Sequence, residues 1–178
     1  MGKRSDFERL KGDFYVTPFE AVKPLAPHLS GMLHYTEPCA GDGSLIGHIW
    51  NWAGLECKYA CDIDPRPKMH DWPRGIEARD AMTITNCLGQ AFITNPPWTR
   101  EILHPLITHL SNLAPTWMIF DADWMHTVQA RPHLERCMKI VSVGRVKWIA
   151  GSANTGKDNA AWYLFSAAHQ GGPRFVGR

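Results

Sequence analysis

The sequence predicts an α/β protein with a mostly parallel β-sheet, helices on both faces of that sheet and an antiparallel hairpin at one edge. Three observations support this fold class. Short apolar runs alternate with stretches of helical periodicity, turn residues end most of the runs, and no helix separates the last two runs. The 178 residues favour one domain, which we expect to span residues 1–178.

The predicted elements follow one another at short intervals. The expected strands are Leu33–Glu37, Cys57–Ile63, Gly75–Arg79, Ala91–Thr94, Thr116–Asp121, Lys139–Ile149 and Ala160–Ser166. Apolar residues spaced three and four apart predict helices over Ser44–Ala53, Arg100–Leu113 and Val128–Cys137. The loop over residues 150–159 is rich in Gly, Ser and Asn, so the two strands that it joins should be antiparallel.

Charge is distributed unevenly along a nearly neutral chain, whose net charge of +2 excludes a polybasic tail or an acidic disordered protein. Residues 131–178 contain eight basic and two acidic side chains, whereas the first 130 residues contain 11 basic and 15 acidic ones. The basic final third indicates either a face that binds a polyanion or a solvated surface. The count alone favours neither interpretation.

The five cysteines have neither CxxC nor zinc-site spacing, which predicts buried free thiols in a reducing compartment. Cys57 and Cys61 lie four apart on one predicted strand, so they should share a face. Eight tryptophans are many for this length. We expect Trp50, Trp52 and Trp117 to pack in the core or against helices.

A glycine loop lies between the first predicted strand and the helix after it, in the run EPCAGDG from Glu37 to Gly43. Two glycines, Gly41 and Gly43, let the backbone approach a ligand closely at the positive end of a helix. The dinucleotide fingerprint GxGxxG is not met, because position 46 is Ile. A tight turn would give the same pattern.

Acidic residues follow the next two predicted strands. Asp62 and Asp64 lie about 20 residues beyond the glycines, a spacing that suits hydrogen bonds to ribose hydroxyls. Either residue could instead serve the turn before Pro65. Asp80 could accept from an adenine amino group or cap the helix that follows.

The run Asn95-Pro96-Pro97-Trp98 is the most informative in the chain. Two prolines fix the backbone and remove two N–H donors, while their carbonyls and the Asn95 amide oxygen remain acceptors. An acceptor cluster beside an aromatic ring suits a planar substrate that bears an NH₂ group and stacks on Trp98. The alternative is a rigid loop with Trp98 in the core.

Together these runs resemble the class I methyltransferases, whose Rossmann-like fold binds S-adenosylmethionine at the strand ends. Glu37–Gly43 resembles that family's first motif, Asp62 its ribose-binding acid, Ile63 the residue that packs on adenine and Asp80 the adenine-contacting acid. The resemblance implies these cofactor-binding residues: Tyr15, Thr17, Pro18, Glu37, Cys39, Ala40, Gly41, Gly43, Asp62, Ile63, Asp80 and Asn95.

Asn95–Trp98 resembles the [DNS]-P-P-[YFW] motif of amino-methyltransferases, and the run DFYVTP at residues 13–18 resembles the motif that precedes their glycine loop. This order resembles the gamma class of DNA adenine-N6 methyltransferases, with small phage-encoded enzymes as the nearest relatives. It implies methyl transfer to the N6 amine of a flipped or single-stranded adenine in DNA, through Asn95, Pro96, Pro97 and Trp98. No metal is expected.

Gamma-class enzymes usually carry a target-recognition domain after the catalytic one. Only 12 residues follow Ser166 here, so we expect none, and with no signal peptide we expect a cytoplasmic protein of a bacterium or phage-infected cell. The resemblance places the loop before the last strand near the target base. It implies nucleic-acid contacts from Arg145, Lys147, Trp148 and Lys157, and Trp162 could also line the pocket.

Other acceptors and a different class of function stay open. The acceptor could be adenine in RNA, the N4 amine of cytosine or a glutamine side chain of a protein. A non-catalytic nucleic-acid-binding relative could also keep this fold.

Overall fold

The computed structural model describes residues 14–66, 72, 74–149 and 158–177. These residues form an eight-stranded sheet with helices on both faces. Its strands are β1 (His34–Glu37), β2 (Glu56–Asp62), β3 (Glu77–Ala78), β4 (Phe92–Thr94), β5 (Thr116–Asp121), β6 (Cys137–Arg145), β7 (Asn159–Phe165) and β8 (Arg174–Val176).

Four α-helices are present in the described part of the chain: α1 (Phe19–Val22), α2 (Ser44–Ala53), α3 (Arg100–Leu113) and α4 (Arg131–Leu134). Both long helices have the bounds that their periodicity predicts. The chain leaves α2 at Gly54, whose φ of +67° is a left-handed conformation that glycine adopts without strain. The chain leaves α3 at Ala114, directly before Pro115, which cannot continue a helix.

The strand order is β3-β2-β1-β4-β5-β7-β6-β8. Strands β3, β2, β1, β4 and β5 are mutually parallel, whereas β7 lies antiparallel between β5 and β6. This confirms the expected parallel sheet with an antiparallel pair towards one edge. Because β6 therefore runs in the direction of β5, the carboxyl ends of β1, β2, β4, β5 and β6 lie at the same end of the sheet.

Strand β8 was not predicted. It pairs in parallel with the first half of β6, where Lys139 lies opposite Arg174. Its short sequence follows a Gly- and Pro-rich segment and offers no run long enough to be recognised as a strand. It covers the edge of β6 that the predicted hairpin would have left open.

Apolar side chains fill both faces of the sheet. On the face covered by α1 and α2, Ile49 and Trp162 are fully buried, and the Trp162 indole Nε1 donates a hydrogen bond to the Ala21 carbonyl (2.7 Å). On the α3 face, the rings of Phe120 and Tyr163 stack with centroids 4.1 Å apart. The strand ends are therefore held on a rigid base.

The predicted helix Val128–Cys137 is wrong in extent. A 3₁₀ turn spans Val128–Ala130, α4 occupies only Arg131–Leu134, and Cys137 is already the first residue of β6. Burial explains the difference. The Cys137 side chain is fully buried in the sheet core, so the chain must become extended before reaching it.

One of the three tryptophan predictions is wrong, that for Trp50, whereas the Trp52 ring packs edge-to-face on Phe19 of α1 with centroids 5.1 Å apart. Trp117 is buried, but Trp50 and Trp52 are 58% and 53% exposed. Their helix α2 buries the stripe that contains Leu45, Ile46 and Ile49. Trp50 and Trp52 fall on either side of this stripe.

Cys57 and Cys61 do not share a face of β2. The pairing with β1 shifts between Tyr35 and Thr36, whose partners are Cys57 and Tyr59, so Lys58 is an extra residue in β2. A one-residue bulge reverses the side-chain alternation beyond it. Cys57 consequently packs on the α2 side and Cys61 on the α3 side.

All five cysteines lie within the described residues and are free thiols, as predicted, but only Cys57, Cys61 and Cys137 are buried, whereas Cys39 and Cys87 are half-buried. None of the helices in the described part of the chain is long and apolar enough to cross a membrane.

Candidate cofactor and acceptor site

A cavity of about 370 Å³ lies at the carboxyl ends of β1, β2 and β4. This is the location at which open α/β sheets bind ligands. Its wall includes nine of the residues that the sequence predicts for the site, namely Tyr15, Thr17, Cys39, Ala40, Asp62, Ile63, Asp80, Asn95 and Pro97. Six further predicted residues do not contribute to this wall, namely Pro18, Glu37, Gly41, Gly43, Pro96 and Trp98.

The glycine loop is fixed by contacts with the β2 end and with Phe14. The Gly41 N–H donates to the Asp62 Oδ2 atom (2.8 Å), and a φ of +55° places Gly41 in the left-handed region. A Cβ atom on Gly41 would lie 2.7 Å from the Phe14 ring. Gly41 therefore lets an aromatic side chain approach the loop, a reason for glycine that its spacing did not reveal.

The acidic residues have the turn and capping roles that the sequence offered as alternatives, and they also line the cavity, where cofactor binding stays a prediction. Asp62 accepts from the Gly41 N–H through Oδ2 and from the Asp64 N–H through Oδ1 (2.8 Å), so it organises the turn. Asp80 accepts from the Met82 N–H (2.9 Å) and caps the 3₁₀ turn after it. Each carboxylate oxygen has more than one acceptor site, and both side chains also face the cavity.

Glu37 is a fully buried carboxyl group beneath the glycine loop. Neither of its oxygens has a partner with hydrogen-bond geometry among the described residues. Burial raises the pKa of Glu37 well above its ordinary value, and the nearby Thr94 hydroxyl and Cys39 N–H offset this only in part. Burial likewise raises the pKa of the Cys39 thiol. A cationic or N–H donor group in contact with this carboxyl would offset its desolvation cost, although Glu37 itself does not line the cavity wall.

The Asn95 side chain is held at both ends. Its Nδ2 donates to the Tyr15 carbonyl (3.2 Å) and to the Thr17 Oγ1 (3.1 Å), and its Oδ1 accepts from the Trp98 Nε1 (3.2 Å). These contacts join the run that precedes the glycine loop to the run that follows β4. The two motifs, far apart in sequence, therefore form one structure.

The Trp98 ring is half-buried and packs edge-to-face against Trp148, with ring centroids 5.2 Å apart and planes at 86°. It reaches the apolar clusters on both faces of the sheet. The ring therefore packs against the core, as one of the two interpretations predicted, and its N–H group also donates to Asn95, which was not predicted. Stacking of a substrate on Trp98 stays a prediction.

The predicted nucleic-acid residues have different positions. Arg145 ends β6 and is exposed, as is Lys147, and both lie at the same end of the sheet as the cavity. Lys157 and most of the loop around it lie outside the described residues. Trp162 does not line the cavity, because it is fully buried on the α2 face.

Sequence reasoning missed Arg66 and Phe14. The Arg66 guanidinium lies 4.6 Å from the centroid of the Phe14 ring and pairs with the Asp64 carboxylate at 3.1 Å. The Arg66 N–H also donates to the Gly41 carbonyl (3.1 Å). The sequence signal that could have revealed Arg66 was a basic residue two positions after Asp64.

Apolar residues missed by the sequence reasoning also line the cavity. Met82, Ile102 and Leu106 contribute to its wall, and Met82 and Ile102 remain 41% and 45% exposed. Ile102 and Leu106 are four apart on α3, so their shared direction was visible in the helical periodicity.

Comparison with solved structures reveals likenesses of fold. A candidate RNA methyltransferase from Pyrococcus horikoshii superposes with a TM-score of 0.62 and 13% identity, over 92% of this chain and 91% of the other. A candidate class I S-adenosylmethionine-dependent methyltransferase from Listeria monocytogenes gives 0.56 and 8%, over 97% and 68%. The fold is that of the class I methyltransferases. A dimethyladenosine transferase from Plasmodium falciparum gives 0.54 and 16%, over 85% and 62%.

No family model and no curated protein matches the sequence. The residues of the cavity themselves fit the class I cofactor. S-adenosylmethionine carries an ammonium group, ribose hydroxyls and an adenine ring. The unpaired Glu37 carboxyl, the Asp62 and Asp80 acceptors and the apolar Ile63 side chain fit these groups in kind.

Proposed function

We propose that this chain transfers a methyl group from S-adenosylmethionine to the N6 amine of adenine in DNA. The observation that carries the proposal is the Asn95 amide. Its oxygen belongs to an acceptor cluster built on two prolines, at the edge of a cavity whose other residues suit the cofactor. The order of the motifs along the chain favours adenine N6 in DNA over the other amino acceptors.

Within this proposal, the chain's acidic residues bind the cofactor. Asp62 accepts from the ribose hydroxyls, Asp80 accepts from the adenine amino group, and Ile63 packs on the ring. Glu37 receives the positive charge of the amino-acid end, directly or through water. The bound cofactor supplies a sulfonium methyl group that needs no further activation.

The acceptor residues orient the amine. Asn95 Oδ1 and the Pro96 carbonyl accept hydrogen bonds from the two N6 hydrogens, which directs the nitrogen lone pair towards the methyl group. The N–C bond would form as the S–C bond of the cofactor breaks to leave S-adenosylhomocysteine, and N6 would lose one proton to water. Alignment of this kind is worth roughly 7–11 kcal/mol of the barrier. An adenine within a duplex cannot reach such a site, so it enters flipped out or single-stranded. Stacking on Trp98 offsets about 1–3 kcal/mol of the free-energy cost of unstacking the base.

Adenine in RNA is the second candidate substrate. It is favoured by the likeness to a candidate RNA methyltransferase and to a dimethyladenosine transferase. Both acceptors present the same N6 amine to Asn95. They differ at the ribose 2′-hydroxyl of the target strand.

One experiment separates these substrates and tests the role of Asn95. Labelled S-adenosylmethionine is supplied with double-stranded DNA, single-stranded DNA or RNA, and nucleoside mass spectrometry identifies the modified base. We expect N6-methyladenine in DNA, and we expect Asn95→Ala to lower kcat by about 10²-fold or more because a preorganised polar contact to the reacting group is lost.

The matched control is Asn51→Ala, which removes an exposed asparagine of α2. It should retain wild-type turnover. Wild-type turnover by Asn95→Ala would contradict the mechanism. Methylation found only on protein would contradict the substrate.

A further inference from the structure

The orientation of the Asn95 amide is set by chemistry at both of its ends. The Tyr15 carbonyl can only accept a hydrogen bond, so the atom that faces it must be the NH₂ group. The Trp98 indole N–H can only donate, so the atom that faces it must be the oxygen. A flipped amide would place two acceptors together at one end and two donors together at the other.

In this orientation, neither the Asn95 side chain nor the backbone of Pro96 and Pro97 offers a donor to the acceptor side of the site. Both Asn95 NH₂ hydrogens point towards the Tyr15 carbonyl and the Thr17 Oγ1. Pro96 and Pro97 have no N–H group. The Asn95 oxygen binds Trp98 with one lone pair and keeps the other for a ligand.

We infer that Thr17 and Trp98 are positioning residues that lock the Asn95 amide and thereby select bases bearing an exocyclic amine over bases bearing a carbonyl there. The inference rests on the proposed function and adds the basis of its base selectivity. A carbonyl base would bring an acceptor oxygen against the Asn95 oxygen, and a buried unpaired acceptor opposes binding strongly.

The Asn95 amide is held by the Trp98 indole N–H and the Thr17 hydroxyl. An aromatic ring without an N–H group, or a side chain without a hydroxyl, could not make these contacts. Phenylalanine at position 98 keeps an aromatic face but has no N–H to donate. Valine at position 17 keeps the branched shape of this buried threonine but has no acceptor. Either change frees one end of the amide and lets a flipped form, which offers NH₂ to the substrate, become populated.

The test compares oligo(dA) with oligo(dI), in which a C6 carbonyl replaces the exocyclic amine and the adjacent N1 gains a hydrogen. Binding to protein saturated with S-adenosylhomocysteine is measured at elevated salt, so that the shared phosphate contribution is small. We expect the wild type to bind oligo(dA) at least about tenfold more tightly, since amine-specific sites reject analogues that lack the hydrogen bond.

Trp98→Phe and Thr17→Val should each lower the ratio of the affinity for oligo(dA) to that for oligo(dI) about fivefold, as expected for the loss of one hydrogen bond. Both should lower kcat for adenine by a similar factor, and Trp98→Phe should leave KM for the cofactor unchanged. Thr17→Ser, which retains the hydroxyl, should restore both the preference and kcat. Trp50→Phe is the matched control, because it removes the indole N–H of an exposed tryptophan on α2, away from Asn95.

The outcomes distinguish the lock from the proposed function. Wild-type methylation of adenine, with both variants keeping the wild-type preference and kcat, would overturn the lock alone. A loss of kcat that Thr17→Ser does not restore would also overturn it. A wild type that transfers no methyl group to any nucleic acid would overturn the proposed function and this inference with it.

Discussion

Glu37 is the residue at which stability and binding oppose each other most directly. Its carboxyl group is fully buried and both oxygens lack hydrogen-bond partners among the described residues. Because burial raises its pKa, the folded state retains a proton that the unfolded chain has already lost. The free energy of unfolding therefore falls as the pH rises towards and through that raised pKa.

Glu37→Gln keeps the side-chain shape and removes the ionisable group. We expect the Tm of the cofactor-free protein at pH 8 to rise, by roughly 2–4 °C for each kcal/mol of desolvation relieved. We expect the affinity for S-adenosylmethionine to fall at least about tenfold, since a charge-assisted contact worth about 1.5–3 kcal/mol is lost. Thermal melts and calorimetric titration measure the two effects.

Glu20→Gln is the control for this change, because Glu20 is exposed on α1. It should alter neither Tm nor cofactor affinity. A variant at position 37 that melts below the wild type and binds the cofactor equally well would refute the assignment.

For single residues, the sequence predicted which ones lie at strand ends but not which side chains they contact. Asp62 and Asn95 follow apolar runs, and the carboxyl ends of parallel strands necessarily converge. The ring of Phe14 over Gly41, and the indole of Trp98 on the Asn95 oxygen, depend on packing directions that a linear pattern does not encode. The local sequence around Asn95 also gives no sign of its contact with Thr17.

Helices and strands were predicted well where particular residues mark their ends in the sequence. Helices α2 and α3 end at Gly54 and just before Pro115, and both were predicted to the residue. The bulge at Lys58 in β2 was not predicted. It is defined by the pairing of β2 with β1, which the sequence of β2 alone does not mark. The short α4 and β8 are fixed by contacts with the finished sheet rather than by periodicity.

A histidine pair joins α3 to α4. The rings of His104 and His133 lie 4.8 Å apart, and His104 Nε2 accepts from the Trp124 indole N–H (3.0 Å), which requires a neutral imidazole. Burial, then the proximity of His104 and Arg136, lowers the pKa of His133 to about 4. Burial and Arg100 lower the pKa of His104, with Glu101 opposing.

This pair predicts acid sensitivity of the α3–α4 contact. Between the ordinary histidine pKa and about pH 4, the unfolded chain binds protons that the folded state rejects, so the free energy of unfolding falls on acidification. His133→Gln should reduce the drop in Tm across this interval, measured by thermal melts at several pH values. His126→Gln, an exposed histidine outside the pair, should leave the drop unchanged. An equal drop in all three proteins would contradict the prediction.

For the whole molecule, the basic final third does not form a single face. Arg145 and Lys147 lie at the carboxyl end of β6, the end of the sheet that holds the cavity. Lys139 and Arg174 face each other at the start of β6 and β8, the opposite end. The sequence predicted the charge excess, but the direction of each strand determined its distribution. Of these two described pairs, the first lies at the end of the sheet where we propose that the base enters.

Arg145 and Arg174 therefore make a matched test of where the nucleic acid binds. Both are exposed arginines at strand ends, but they lie at opposite ends of the sheet. Each lost phosphate contact lowers the slope of log K against log salt by about 0.9 for duplex DNA and about 0.7 for single strands. Arg145→Ala should show this decrease and weaken binding at low salt, whereas Arg174→Ala should retain the wild-type slope. Titrations of one oligonucleotide at four salt concentrations measure it, and the reverse pattern would place the nucleic acid at the end of the sheet away from Asn95.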